Sequence, residues 1–217
     1  MAFSVESLTS FRMNRFLRIA PGLLAASLFP MASLPVRAGA PAGGPAAAGV
    51  MVMNTNISQA QVTQAQQAWC NALLAISRAY RSGGLPAART TAEKVLDDAY
   101  AYQYGPVAFK PTLTSGAQTF RPTKEGALAY FVGNNPRFPK DSGFAINPWE
   151  KCTIRTQVIQ LHGDLAITMG NVDITDNKGN ATTVDKTWAF LREPDGQIRI
   201  VLHHSSLPYK LPTATAP

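Results

Sequence analysis

Three histidines, two cysteines and a scatter of hydroxyls are the reactive groups of interest in this sequence. The histidines are His162, His203 and His204. The adjacent pair invites a metal site, but neighbouring side chains on a strand point to opposite faces. Two rings at 203 and 204 therefore cannot reach one ion unless a bulge intervenes. No Cys or carboxylate stands at ligand spacing beside them, so a closed zinc site has little support. The reading preferred is one His inside with a hydrogen bond and one outside. An open site of one His with distant carboxylates stays available. Cys70 and Cys152 admit two readings of equal weight: a disulfide formed in an oxidising compartment, or two buried thiols acting as small hydrophobes. A cysteine nucleophile ranks below both, because spacing assigns no His to activate it.

The hydroxyls are the unusual feature. Lys110-Pro111-Thr112-Leu113-Thr114, Phe120-Arg121-Pro122-Thr123, Tyr130 and His203-His204-Ser205-Ser206 all fall where elements end. Taken singly, Ser and Thr at such points are caps and turns. The sequence has no Gly-x-Ser-x-Gly elbow, phosphate loop or dinucleotide fingerprint. Asp185 sits mid-strand, opposite in direction to Val184, Trp188 and Phe190, which favours a solvent- or dimer-facing role over a pocket acid. Arg121 is expected to pair with a carboxylate or attract an anion.

The scaffold that carries these groups follows from composition and pattern. With 217 residues, 46% hydrophobic and 15% charged, the chain suits one folded domain plus a tail. No apolar stretch is long enough for a membrane span. The net charge of +7 suggests a nucleic-acid partner, but its location argues against one. Arg12, Arg15, Arg18 and Arg37 lie in the first 38 residues against Glu6 alone. A basic region, a short apolar run over 19–28 and Val36-Arg37-Ala38 make residues 1–38 a signal peptide cleaved after Ala38. The mature protein is then expected to be periplasmic or secreted, with no membrane contact. Residues 39–53, rich in Gly, Ala and Pro, read as a flexible linker. The domain is expected over 54–210, with a tail at 211–217.

Ser58 followed by Gln61 is a capping-box signature ahead of a helix over 59–81. Ser82-Gly83-Gly84 stops it, and Pro86 opens a second helix to about Tyr102. A strand over 107–110, another extended piece over 118–121 and a short helix capped by Thr123 and closed by Gly133 come next. Four alternating, β-branched strands follow, over 152–162, 165–175, 181–191 and 198–205. Short turns join them into an antiparallel meander. The expected class is α+β: a cone-shaped curved antiparallel sheet packed on N-terminal helices, with a pocket inside.

Several segments together resemble the iota-class carbonic anhydrases. They include Phe109-Lys110-Pro111-Thr112-Leu113-Thr114, Ala129-Tyr130-Phe131-Val132-Gly133, Asp141-Ser142-Gly143-Phe144-Ala145, Thr182-Thr183-Val184-Asp185-Lys186-Thr187 and His203-His204-Ser205-Ser206-Leu207-Pro208-Tyr209. The match runs from about Trp69 to Tyr209. The resemblance implies a domain similar to nuclear transport factor 2, a homodimer, and reversible hydration of carbon dioxide to bicarbonate and a proton. It implies that Thr112, Tyr130 and Ser205 hold bicarbonate through their hydroxyls, without a cofactor, although zinc or manganese is ascribed to some related members. Phe109, Phe120, Phe131 and Trp188 are expected to wall the pocket. Tyr130 is the expected proton acceptor if its surroundings lower its pKa, with His203 or His204 as proton relay. Two other readings compete: a non-enzymatic periplasmic binding or association domain of the same fold, and a metal-dependent hydrolase built from converging carboxylates and a His.

Overall fold

A computed structural model describes residues 55–211. The signal peptide expected over 1–38, the linker expected over 39–53 and all but Leu211 of the tail expected over 211–217 lie outside the described residues. Among those described, no helix is long and apolar enough to cross a membrane.

The chain enters through the expected capping box. Ser58 accepts from the Gln61 amide, and the Gln61 side chain reaches back to the Ser58 amide. Helix α1 then runs Gln59–Ala99, broken at Gly84, whose φ of 67° only glycine adopts at low cost. Its first part buries Val62, Gln66, Trp69, Cys70, Leu73 and Ile76 at helical spacing, and its second part Ala88, Ala92 and Leu96. The two expected helices are thus present. The second ends three residues early, because Tyr100 turns extended and bridges Ile200 on the last strand.

Strand β1, Ala108–Lys110, is followed by a 3-10 turn at Gly116–Gln118, and the extended piece expected over 118–121 forms no strand. Helix α2, Lys124–Val132, is capped by Thr123, which accepts from the Gly126 amide at 3.2 Å. Strands β2 (Trp149–His162), β3 (Leu165–Asp176), β4 (Ala181–Arg192) and β5 (Ile198–Ser206) form the meander. The order across the sheet is β1-β5-β4-β3-β2. One pairing departs from the expected all-antiparallel sheet: β1 adds parallel to β5, with Phe109 beside His203 and Lys110 beside His204. Pro111, with no amide hydrogen, ends that ladder.

The register between β2 and β3 slips between Thr156 and Val158. Such a bulge bends a sheet and sharpens its twist. Gly170 makes the close approach possible, since a Cβ there would lie 2.3 Å from the Arg155 carbonyl oxygen. The inner face of the sheet packs on α1 and α2 around Trp188, Tyr100, Phe109, Phe190 and Ile174. Cys70 on α1 and Cys152 on β2 are bridged, with Cα atoms 5.5 Å apart, so the disulfide reading holds and the free-thiol reading does not.

Candidate active site

Alternation on β5 turns His203 and Ser205 inward, both buried, and leaves His204 exposed on the other face. This is the arrangement expected of the adjacent pair. His162 is exposed at the end of β2. Among the described residues no group of three or more His, Cys, Asp and Glu is placed to hold a metal ion.

The parallel register carries β1 past His203, so that the turn after Pro111 delivers Thr112 to Ser205. Thr112 Oγ1 and Ser205 Oγ are 2.6 Å apart, across 93 residues of sequence. Lys110 Nζ donates to the Ser205 carbonyl oxygen at 2.9 Å and fixes the strand end. Tyr130 comes from α2, a helix buried on nearly every side. Its ring stacks on Phe144, with centroids 5.5 Å apart, and meets Phe109 edge to face at 5.9 Å. The Tyr130 hydroxyl is buried and lacks a hydrogen-bond partner of good geometry. The Thr112 hydroxyl and the backbone at Thr112 and Leu113 are nonetheless near enough to ease its ionisation. Burial outweighs them and pushes Tyr130 up to about 12. The three hydroxyls named by the sequence therefore converge. Burial works against the lowered pKa that a proton-accepting Tyr130 requires.

The aromatic wall is only partly as expected. Phe109, Phe131 and Trp188 are buried, but Phe120 is 70% exposed. It lines an outer groove of about 540 Å³ with Val107, Lys110, Pro122 and Leu202. A second groove, about 450 Å³, lies on the outer face of the sheet beside Met169, Asp185 and His204. Asp185 accepts there from Asn171 Nδ2 at 2.8 Å, away from the hydroxyls, as its strand position implied. Arg121 takes the carboxylate option: its Nη2 contacts both Asp141 oxygens, at 2.9 and 3.0 Å, in a buried pair.

One inward residue escaped the sequence reading. Lys186 is buried on β4, and its Nζ lies 2.8 Å from His203 Nε2. It sits 4.4 Å above the Trp69 ring. His203 Nδ1 is 2.8 Å from the Tyr100 hydroxyl, which accepts from Trp69 Nε1 at 3.0 Å. Burial lowers Lys186 to about 7 and holds His203 well below the ordinary imidazole range. The signal for Lys186 was present: Val184, Lys186 and Trp188 share one parity on a strand whose other members are core.

A curved five-stranded sheet wrapped on a long helix, gathering hydroxyls from a turn, a short helix and the last strand, defines an α+β domain with a largely internal polar site. A family model described as metal-independent carbonic anhydrase matches residues 60–207. A metal-independent carbonic anhydrase of Nostoc sp. (strain PCC 7120 / SAG 25.82 / UTEX 2576) is 54% identical over 159 residues, 73% of this chain and 78% of that protein. The crystal structure of an iota-carbonic anhydrase from a cyanobacterium, complexed with bicarbonate, aligns with a TM-score of 0.73 and 52% identity. It covers 76% of this chain and all of its own. A nuclear transport factor 2-like protein from Salmonella enterica serovar Typhimurium is far more distant, at 15% identity and a TM-score of 0.41 over 72% of this chain and 99% of its own. The chain belongs to the metal-independent carbonic anhydrase family.

Proposed function

We propose that this protein hydrates carbon dioxide reversibly to bicarbonate and a proton, without a metal cofactor, and that Thr112, Tyr130 and Ser205 hold the anion. The observation that carries this reading is the 2.6 Å contact of the Thr112 and Ser205 hydroxyls beside a buried, unpartnered Tyr130 hydroxyl. An orphaned buried hydroxyl is costly, and a ligand oxygen that accepts from it removes the cost. When water attacks the carbon, one C–O bond forms and an electron pair moves onto an oxygen of carbon dioxide. Fixed donors aimed at that developing charge stabilise the transition state. Tyr130 keeps its proton across the neutral range and so donates throughout. The aromatic side chains of Phe109 and Phe131 suit an apolar substrate.

The protein is a homodimer in this proposal. Val158 and Met169 are cross-strand neighbours on the outer face of the sheet, 48% and 57% exposed, and a second copy would cover them. The chain is also exported to the periplasm or beyond. The basic, apolar, small-residue order of its first 38 residues supports that, as does a disulfide between Cys70 and Cys152.

The test is a carbon dioxide hydration assay on purified protein before and after exhaustive chelation. Activity that survives chelation is the expected result. Absence of turnover would favour a non-enzymatic domain, and loss restored by zinc or manganese would move the hydroxyls to a supporting role.

A further inference from the structure

Hydration releases a proton, and the hydroxyl site has no group to take it, since Tyr130 is held as a phenol. The interior offers one pair that can. On the inner face of β4 and β5, Lys186 stands directly opposite Ser205, and Trp188 opposite His203. Facing residues in such a ladder have Cβ atoms roughly 5 Å apart. Lys186 Nζ and His203 Nε2 are joined at 2.8 Å, and His203 stacks on Phe109, the ring that also contacts Tyr130. The pair is thus one cross-strand step from the Thr112–Ser205 contact.

We propose that the Lys186 amine, held by His203, accepts the proton released when water adds to carbon dioxide at the hydroxyl site. The inference rests on the proposed hydration activity. In the step, the oxygen of water bonds to the carbon of carbon dioxide and its O–H bond breaks. That proton passes by way of the Ser205 hydroxyl, bridged by water, to the Nζ lone pair, leaving bicarbonate and an ammonium. The ammonium returns its proton toward solvent once bicarbonate has left, and nothing is oxidised or reduced.

The surroundings fit such a role. The titratable group that meets the amine is His203 on β5; Tyr100 at the end of α1 meets the other nitrogen of that ring, and Tyr130 on α2 lies beyond Phe109. Lys110 on β1 is turned to the Ser205 carbonyl. From α1 the amine meets the Trp69 ring, and from its own strand the Trp188 ring at 5.5 Å. From β3, Thr168 faces inward and is neutral, accepting from Gln66 Nε2 at 3.2 Å. Asp185 and His204 occupy the outer face, and Asp141 is held by Arg121. No carboxylate pairs with Lys186 among the described residues, so burial favours the neutral amine, which burial brings to about 7. A lysine with a surface role has no reason to lie at 4% exposure between two tryptophans.

The test has two arms. Hydration rates of wild type, Lys186→Met and Lys186→Arg are measured from pH 5.5 to 9, with circular dichroism as a check on folding. The wild-type rate should rise through an inflection near 7. Lys186→Met should lose about a hundredfold and the inflection with it. Lys186→Arg should lose as much, because a guanidinium stays charged. Added imidazole or methylamine should recover part of the Lys186→Met rate. In parallel, NMR of the Lys186 side chain in the wild-type protein should show the amine titrating at the midpoint of the rate profile. A folded Lys186→Met with wild-type rate and inflection overturns the proposal. So does an amine that stays charged to pH 9, and this arm decides if the variants do not fold. A wild-type protein inactive at every pH overturns the hydration reading itself, which the variant comparison alone does not.

Discussion

Thr112 and Ser205 share a hydrogen bond of 2.6 Å although one lies after the shortest strand and the other near the end of the last. One hydroxyl must donate to the other, so the pair keeps a single hydrogen free for a ligand oxygen. The parallel pairing of β1 with β5 places them. Ser205→Ala and Thr112→Val each remove half of the pair. Each should cut hydration by about a hundredfold to a thousandfold, the usual loss for one donor to a developing oxyanion. Stopped-flow hydration rates check this. A variant within twofold of wild type would remove that residue from the site.

Tyr130→Phe separates function from stability. The hydroxyl has no partner of good geometry, only the Thr112 hydroxyl and nearby backbone, so deleting it should cost little hydrogen bonding. The variant should melt at or above the wild-type temperature. Hydration should nonetheless fall by about a hundredfold or more. Thermal melts and rate measurements on the same preparation decide it, and a marked drop in melting temperature would show the hydroxyl to be structural.

The alternating strands and the capping box made much of this architecture legible. His203 and His204 fell on opposite faces as strand parity required. Other features depended on distance in space. β1 is only three residues long and its parallel partner β5 lies about ninety residues downstream, and no local pattern marks such a pairing. Aromatic character suggests Phe120 as a pocket wall, but it sits exposed after a 3-10 turn. The direction of the Tyr130 shift depends on how completely α2 is enclosed, which sequence does not encode locally. Lys186 is different: its inward parity was readable, and the habit of placing lysine outside hid it.

The Cys70–Cys152 bridge ties α1 to β2 across 82 residues. Closing a loop of that length should stabilise the fold by about 4 kcal/mol, chiefly by restricting the unfolded chain. Cys70→Ser with Cys152→Ser should lower the urea midpoint while leaving residual hydration by the folded fraction intact. Equal midpoints with and without reductant would mean the bridge contributes nothing.

Burial of Lys186 also ties stability to pH. In the unfolded chain its amine titrates near 10.5, whereas in the folded protein burial brings it to about 7. Between those values the unfolded state carries a proton the folded state lacks, so rising pH should stabilise the fold by up to about 1.4 kcal/mol per unit. Below 7 both states are protonated at this group and its slope vanishes. His203, lowered in the same way, adds a loss of stability as pH falls below 6.5. Lys186→Met removes the alkaline slope, and near pH 7 it should unfold at higher urea than wild type, because a buried charge-bearing group gives way to an apolar one of similar length. The comparison is urea denaturation of both proteins from pH 5.5 to 9.5. Parallel curves across that range would mean that Lys186 is charged in the folded protein, and with that the buried neutral amine would be gone.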